Sequence, residues 1–227
     1  MNGILCMNKP QEFTSFDVIG KLRGILHMKR LGHTGTLDPM ATGVLPVLVG
    51  TAAKACDIMP CQDKTYRAGI YFGRSSDTLD IWGNNFIDYP EMHVTQKALL
   101  NVFPDFTGEI EQIPPMYSAV SVGGKRLYEL ARKGIEAERP SRKVQVYSIE
   151  LENFDEDKQE AEISIKCGKG TYIRTLIDDI GRLLGGGAVM TSLCRTMASG
   201  FDISECYTFD EVKKICDSGN IEKILIP

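Results

Sequence analysis

The residues best able to do chemistry in this chain of 227 lie in one stretch, Gly32-His33-Thr34-Gly35-Thr36-Leu37-Asp38-Pro39-Met40-Ala41-Thr42-Gly43-Val44-Leu45-Pro46-Val47. Glycine and proline restrict the backbone here, so its single carboxylate, Asp38, is presented from a stiff loop rather than a mobile surface. A carboxylate held that way can act as a nucleophile or as a charge stabiliser. Aspartate before proline is more often simply a turn former, and on physics alone that reading prevails.

Other chemistries are poorly supplied. Gly124-Lys125 is followed by Arg126 rather than Ser or Thr and lacks the earlier glycine of a phosphate loop, and Gly168-Lys169-Gly170 fails the same test. No glycine fingerprint opens a first βα unit, and neither a histidine-glutamate deaminase signature nor a nucleophile elbow is present. The seven cysteines (Cys6, Cys56, Cys61, Cys167, Cys194, Cys206 and Cys216) are odd in number. No pair has the two-residue spacing of a zinc or redox site, so they read as reduced thiols. With three histidines, none paired on a helix with a glutamate, no metal is expected.

The elements that must position Asp38 belong to a globular chain. Hydrophobic residues make up 43% and charged residues 25%, and the mean hydropathy is -0.13, which disfavours disorder, collagen and coiled coil. No apolar run approaches the roughly 18 to 20 residues a bilayer demands. The start, MNGILCMNKP, lacks the basic region and long apolar stretch of a secretory signal, so a cytoplasmic protein without membrane contact is expected. The net charge of -4 argues at first against a nucleic-acid partner, yet the charge is polarised. Gly20 to Cys56 carries +4, Tyr117 to Tyr147 carries +4, and Ser148 to Glu162 carries -6, the last reading as a solvated hairpin face. Basic surfaces can therefore meet an anionic polymer on a chain that is acidic as a whole.

Ile4 to Met7 reads as a strand that ends in a turn at Asn8-Lys9-Pro10. Thr14 with Asp17 starts a helix over 15 to 27, with Phe16, Ile19, Leu22, Ile25 and Leu26 on one face. The Gly/Pro-dense stretch from Gly32 to Pro46 reads as an ordered loop before a strand at Val44 to Val49. A short helix over Thr51 to Met59 and a half-buried strand over Thr65 to Phe72 follow, the strand burying Tyr66, Ala68, Ile70 and Phe72. Arg74 to Asn85 reads as a loop and Thr95 to Phe103 as a helix. Met116 to Val122, Gly123-Gly124 and Arg126 to Arg132 read as strand, turn and helix. Lys143 to Phe154 and Glu160 to Cys167 alternate as a hairpin. Tyr172 to Leu184 is a helix ended by three glycines, followed by a strand at Val189 to Arg195 and a helix at Phe209 to Cys216. One mixed α+β domain spanning 1–227 fits best.

The loop around Asp38 resembles, almost residue for residue, the catalytic loop of the TruB family of tRNA pseudouridine synthases. The likeness recurs in order along the chain, at Lys9-Pro10, Lys64-Thr65-Tyr66, Gln112-Ile113-Pro114-Pro115-Met116-Tyr117-Ser118-Ala119, Gly124-Lys125-Arg126-Leu127-Tyr128 and Lys169-Gly170-Thr171-Tyr172-Ile173-Arg174-Thr175-Leu176. The resemblance implies the pseudouridine synthase fold, a mixed and largely antiparallel central sheet flanked by helices and loops. Because the sequence ends at Pro227, it implies a short form without the C-terminal PUA domain.

The activity implied is isomerisation of uridine 55 in the T loop of tRNA to pseudouridine, by a monomer and without a cofactor. Asp38 would be the nucleophile, Arg174 its guanidinium partner, and Tyr66 the ring that stacks on the uracil and assists proton transfer at C5. The target base would be extruded, with His33 filling the space it leaves. Tyr172 and Leu193 would contact substrate, and Lys9, Lys64 and Asp80 are further carry-overs. Taken bare, these residues would be core aromatics or ordinary surface charges. A non-enzymatic RNA-binding module would not require Asp38, Tyr66 and Arg174 together, and a glycosidase acting on small nucleosides would not require the basic flanks.

Overall fold

The computed structural model describes residues 1–58 and 62–226. Its strands are β1 (Gly3–Lys9), β2 (Leu31–His33), β3 (Thr42–Val49), β4 (Lys64–Phe72), β5 (Arg74–Ser76), β6 (Phe86–Asp88), β7 (Gly108–Gln112), β8 (Ser121–Val122), β9 (Lys125–Arg126), β10 (Arg142–Asp155), β11 (Glu160–Cys167), β12 (Ala188–Ala198) and β13 (Phe201–Asp202). Its helices are α1 (Ser15–Leu26), α2 (Gln96–Val102), α3 (Leu127–Ala131), α4 (Ile173–Leu183) and α5 (Phe209–Asp217), with short 3-10 segments between them. The chain divides into two compact units, Met1–Tyr66 with Leu193–Pro227, and Arg67–Ser192.

In the first unit β1 runs antiparallel to β3 in unbroken register from Gly3 opposite Val49 to Lys9 opposite Gly43. The short β2 pairs with β3 as well, and β3 meets β12 in parallel at Thr42 and Gly43. Helix α1 begins where the sequence requires. The Thr14 hydroxyl accepts the Asp17 N–H at 3.0 Å while Asp17 accepts the Thr14 N–H at 2.8 Å, a capping box. The Val18, Ile19, Leu22 and Leu26 face packs on Leu5, Met7, Leu45, Val47 and Val49 from the strands and on Phe209, Val212 and Ile221 from the C-terminal segment. Burying side chains of this size stabilises by roughly 1.5 to 3 kcal/mol each.

The second unit is built on the order β12-β4-β11-β10-β7. Hairpin β10/β11 is antiparallel with two register shifts, between Val146 and Ser148 and between Leu151 and Asn153. Tyr66, Ala68, Ile70 and Phe72 of β4 are buried, as the alternation predicts. Helix α4 buries Ile173, Leu176, Ile177 and Ile180. The fold is mixed, with a largely antiparallel central sheet and flanking helices.

Several expectations change. The strand at the start runs on through Asn8 and Lys9, because both pair with β3. Phe16 is 76% exposed, since Val18 takes the inward position on α1. The loop from Gly32 opens with the two strand residues of β2 that follow Leu31, and the loop from Arg74 contains β5, paired to β6. Strand β7 was not apparent in Gly108-Glu109-Ile110-Glu111-Gln112 because it is largely polar and exposed, and its pairing with β10 fixes it. Of the strand expected at Met116 to Val122, only Ser121–Val122 forms. The short helix expected near Thr51 is a 3-10 segment over Gly50–Ile58, and Met59 lies outside the described residues.

Gly43 marks the tightest crossing. Its φ is +100°, and a Cβ there would overlap the Arg195 backbone, where β3 meets β12. Replacing Gly43→Ala is expected to cost at least about 3 kcal/mol, lowering Tm by roughly 6 °C or more in a thermal melt; an unchanged Tm would contradict the close approach.

Candidate active site

Asp38 is half-buried in the turn between β2 and β3, whose backbone closes through the Ala41 N–H donating to the Asp38 carbonyl at 3.0 Å. Side chains of the same unit pin this turn from several directions. Ser15, the first residue of α1, is 2% exposed; its hydroxyl accepts the Leu37 N–H at 2.9 Å and donates to the Leu37 carbonyl at 3.3 Å. Lys9 closes β1 and has no exposed surface. Its Nζ donates to the carbonyls of Pro10 (2.9 Å), Phe13 (2.6 Å) and Pro39 (3.3 Å), the last immediately after Asp38. Arg195, on β12, is also buried; its Nε donates to the Val44 carbonyl at 2.7 Å and its Nη2 to the Gly35 carbonyl at 3.3 Å. Its Nη1 has no hydrogen-bond partner among the described residues.

Two buried cations therefore hold one loop, and burial of a charge is costly unless it is paired and hydrogen-bonded. Burial pushes the Lys9 ammonium down from 10.5 to about 8, the Asp38 carboxylate pulls it back up, and Arg195 presses it down further. Lys9 and Asp38 thus face each other electrostatically across the turn. His33, at the end of β2, is pushed below its ordinary value by burial and then by Arg195, so its ring is neutral near pH 7. The exposed Phe16 meets the His33 ring edge-on at 5.6 Å. Lys64 donates to the Gln62 carbonyl at 2.9 Å, and its Cε lies 3.7 Å from where a Cβ on Gly35 would be. Tyr66 and Leu193, each 7% exposed, are the residues at which the chain leaves and re-enters the first unit.

The second unit holds Asp80, Tyr172 and Arg174. Arg174 is 5% exposed at the start of α4. Its Nη1 donates to the Thr78 carbonyl at 2.8 Å and its Nη2 to the Tyr117 carbonyl at 2.9 Å, and its Nε lies 3.8 Å from Asp80. Asp80 in turn accepts from the Thr78 hydroxyl at 2.7 Å and the Trp82 N–H at 3.0 Å. The buried Gln112 amide fixes Tyr172 by accepting its N–H at 3.0 Å and donating to its carbonyl at 3.2 Å. Arg174 and Asp80 are thus brought together within this unit, and Lys9, Asp38 and Lys64 around the loop of the other.

Arg195 and Ser15 were not anticipated. Arg195 ends an ordinary strand pattern, and its partners Gly35 and Val44 are 160 and 151 residues away, so no local signal existed. Ser15 is visible in sequence as a helix start and nothing more. No group of His, Cys, Asp and Glu able to hold a metal occurs among the described residues. Nor is any described helix long and apolar enough to cross a membrane.

Residues 23–173 match the TruB family pseudouridylate synthase N-terminal domain, and residues 174–227 the tRNA pseudouridylate synthase B C-terminal domain. The chain is 42% identical over 232 residues to tRNA pseudouridine synthase B of Geobacillus kaustophilus, covering 100% of this chain and 81% of the relative. It is 44% identical over 227 residues to the synthase of that name from Clostridium kluyveri, covering 100% and 76%. Among solved structures, a Cbf5-Nop10-Gar1 complex matches with a TM-score of 0.77 at 28% identity, covering 99% of this chain and 60% of that one. An H/ACA RNP bound to a substrate RNA containing 2'-deoxyuridine matches with a TM-score of 0.73 at 25% identity, covering 99% and 59%. The chain therefore spans about 60% of the length of those structures.

Fold and relatives define the class, an isomerase that makes pseudouridine. Within that class, the chain belongs to the TruB family of pseudouridylate synthases.

Lys9 offers a thermodynamic test of the loop. In the unfolded chain it stays protonated up to 10.5, but in the folded protein only up to about 8. Between these values the unfolded chain binds one more proton, so folding is favoured as pH rises through the window. The stability of wild type relative to Lys9→Met is expected to grow from pH 8 to 10.5 by on the order of 3 kcal/mol, measured by urea unfolding at stepped pH. A difference that stays flat across the window would contradict a depressed Lys9.

Proposed function

We propose that this protein isomerises uridine to pseudouridine in tRNA, at position 55 of the T loop, with Asp38 as the nucleophile acting on a base swung out of its stack. The N1–C1' bond breaks, the uracil turns, C5 bonds to C1', the C5 proton is lost to solvent and N1 takes up a proton, so the formula is unchanged. Oxidation state does not change, so the reaction calls for no electron carrier. What carries the reading is the half-buried Asp38 carboxylate on a loop tied down by Ser15, Lys9 and Arg195. A group placed that firmly loses little freedom when it meets the reacting nucleotide.

The remaining roles follow from the chemistry each residue can supply. Tyr66 stacks on the uracil, at roughly 1 to 3 kcal/mol per base, and its phenol assists at C5. Arg174, held on the Thr78 and Tyr117 carbonyls and 3.8 Å from Asp80, is assigned as the third catalytic residue, a fixed cation. His33, neutral near pH 7, fills the stack vacated by the base. Tyr172 and Leu193 line the nucleotide, while Lys64 and Asp80 orient their neighbours. Lys21, Arg23, Lys29 and Arg30 are exposed, as are Lys125, Arg126, Arg132, Lys133, Arg142 and Lys143, so both basic stretches are available to phosphates of the T arm. On this reading residues 1–227 work as one catalytic domain, and as a monomer.

Asp38→Asn tests the proposal, since it keeps shape and removes charge. The variant is expected to bind tRNA within about threefold of wild type and to lose pseudouridine formation by at least about a thousandfold in single turnover. Retained turnover in purified protein would overturn the assignment.

A further inference from the structure

Cys6 and Cys206 are 200 residues apart in sequence and adjacent in the first unit. Met7 forms a parallel bridge to Tyr207, with the Tyr207 N–H donating to the Cys6 carbonyl at 2.9 Å and the Asn8 N–H to the Tyr207 carbonyl at 2.9 Å. Cys6 and Cys206 are therefore in-register neighbours, one position before the bridge. Side chains alternate along extended backbone, so the two cysteines share the face opposite to Met7 and Tyr207, both of which pack on the α1 core. Neighbours in this register are about 4.8 Å apart, inside the roughly 4.4 to 6.8 Å that a disulfide spans between Cα atoms. Both cysteines are free, and the Cys206 S–H donates to the Asp202 carbonyl at 3.5 Å.

We propose that Cys206 and Cys6 are a peroxide-reactive thiol pair that closes to a reversible disulfide. The two cysteines are unequal in a way that assigns their order. Cys6 is 1% exposed, whereas Cys206 is partly exposed, at the end of the turn Ile203–Glu205, so an oxidant meets Cys206 first. The Cys6 thiol beside it lowers the Cys206 thiol below its ordinary value, against the opposing effect of burial, and Cys206 in turn raises that of Cys6. Among the other groups that act on Cys206, Glu205 and Asp202 oppose the thiolate and Arg195 favours it.

Hydrogen peroxide is the oxidant. The Cys206 thiolate attacks one peroxide oxygen, an S–O bond forms as the O–O bond breaks, and the departing hydroxide takes a proton to become water. Cys6 then attacks the sulfenic sulfur of Cys206. The S–S bond forms as the S–O bond breaks, and the departing oxygen leaves as a second water carrying the Cys6 proton. Two thiols are oxidised and one peroxide is reduced to two waters. The inference stands apart from the isomerase reading, since neither sulfur takes part in that reaction.

The test exposes the full-length protein to hydrogen peroxide, blocks remaining thiols with N-ethylmaleimide and maps peptides by mass spectrometry. The expected result is a linked Cys6–Cys206 peptide about 2 Da lighter than its two parts, which dithiothreitol returns to free thiols. In Cys6→Ala, Cys206 has no resolving partner and is expected to gain about 32 Da as a sulfinic acid. In Cys206→Ser, Cys6 is expected to remain a thiol. Linkage between other cysteines, or a Cys206 still captured by maleimide after peroxide in the wild type, would overturn the proposal.

Discussion

The loop that carries Asp38 is anchored on a buried ammonium bound by three backbone carbonyls. Lys9 has no exposed surface, and its cation is tolerated because Pro10, Phe13 and Pro39 offer it oxygen lone pairs in place of water. Binding Pro39 from beneath fixes the residue next to Asp38. Arg195 does the same at Gly35 and Val44, so the turn is held near both of its ends by cations that water cannot compete for. Like charges at this depth repel, and the negative charge of Asp38 is what offsets the repulsion, as its upward pull on Lys9 records.

The second unit follows the same logic with different parts. Arg174 reaches the carbonyls of Thr78 and Tyr117, which leaves its orientation fixed by backbone rather than by mobile surface acids. Gln112 clasps both backbone groups of Tyr172 and thereby sets where α4 begins. Polar groups that are arranged before substrate arrives need not reorganise when charge develops, which is the general basis of electrostatic catalysis.

Much of this was legible in the sequence where local rules govern. The Thr14–Asp17 capping box, the alternation of β4 and the apolar face of α4 each follow from spacing, and each is present. The stiffness around Asp38 was visible in its glycines and prolines. What could not be read was whatever depends on contacts far along the chain. Lys9 and Arg195 look like ordinary charges in their strands, and their burial arises only when β1, β3 and β12 assemble. Strand β7 was obscured for a similar reason, because Glu109 and Glu111 alternate outward and the pairing with β10 supplies the order. Phe16 fits the apolar spacing of α1 yet faces out against His33, a choice made by packing rather than by period.

If the Lys9 clamp places Asp38 for the proposed chemistry, release of tritium from C5-labelled uridine in a T-arm RNA measures that step directly. In single turnover, folded Lys9→Met is expected to release tritium at least about tenfold more slowly than wild type while its Kd for the RNA stays within about twofold. Adding Lys9→Met to Asp38→Asn is expected to cost nothing further, because the two residues act as one unit. Wild-type release by Lys9→Met would contradict the account.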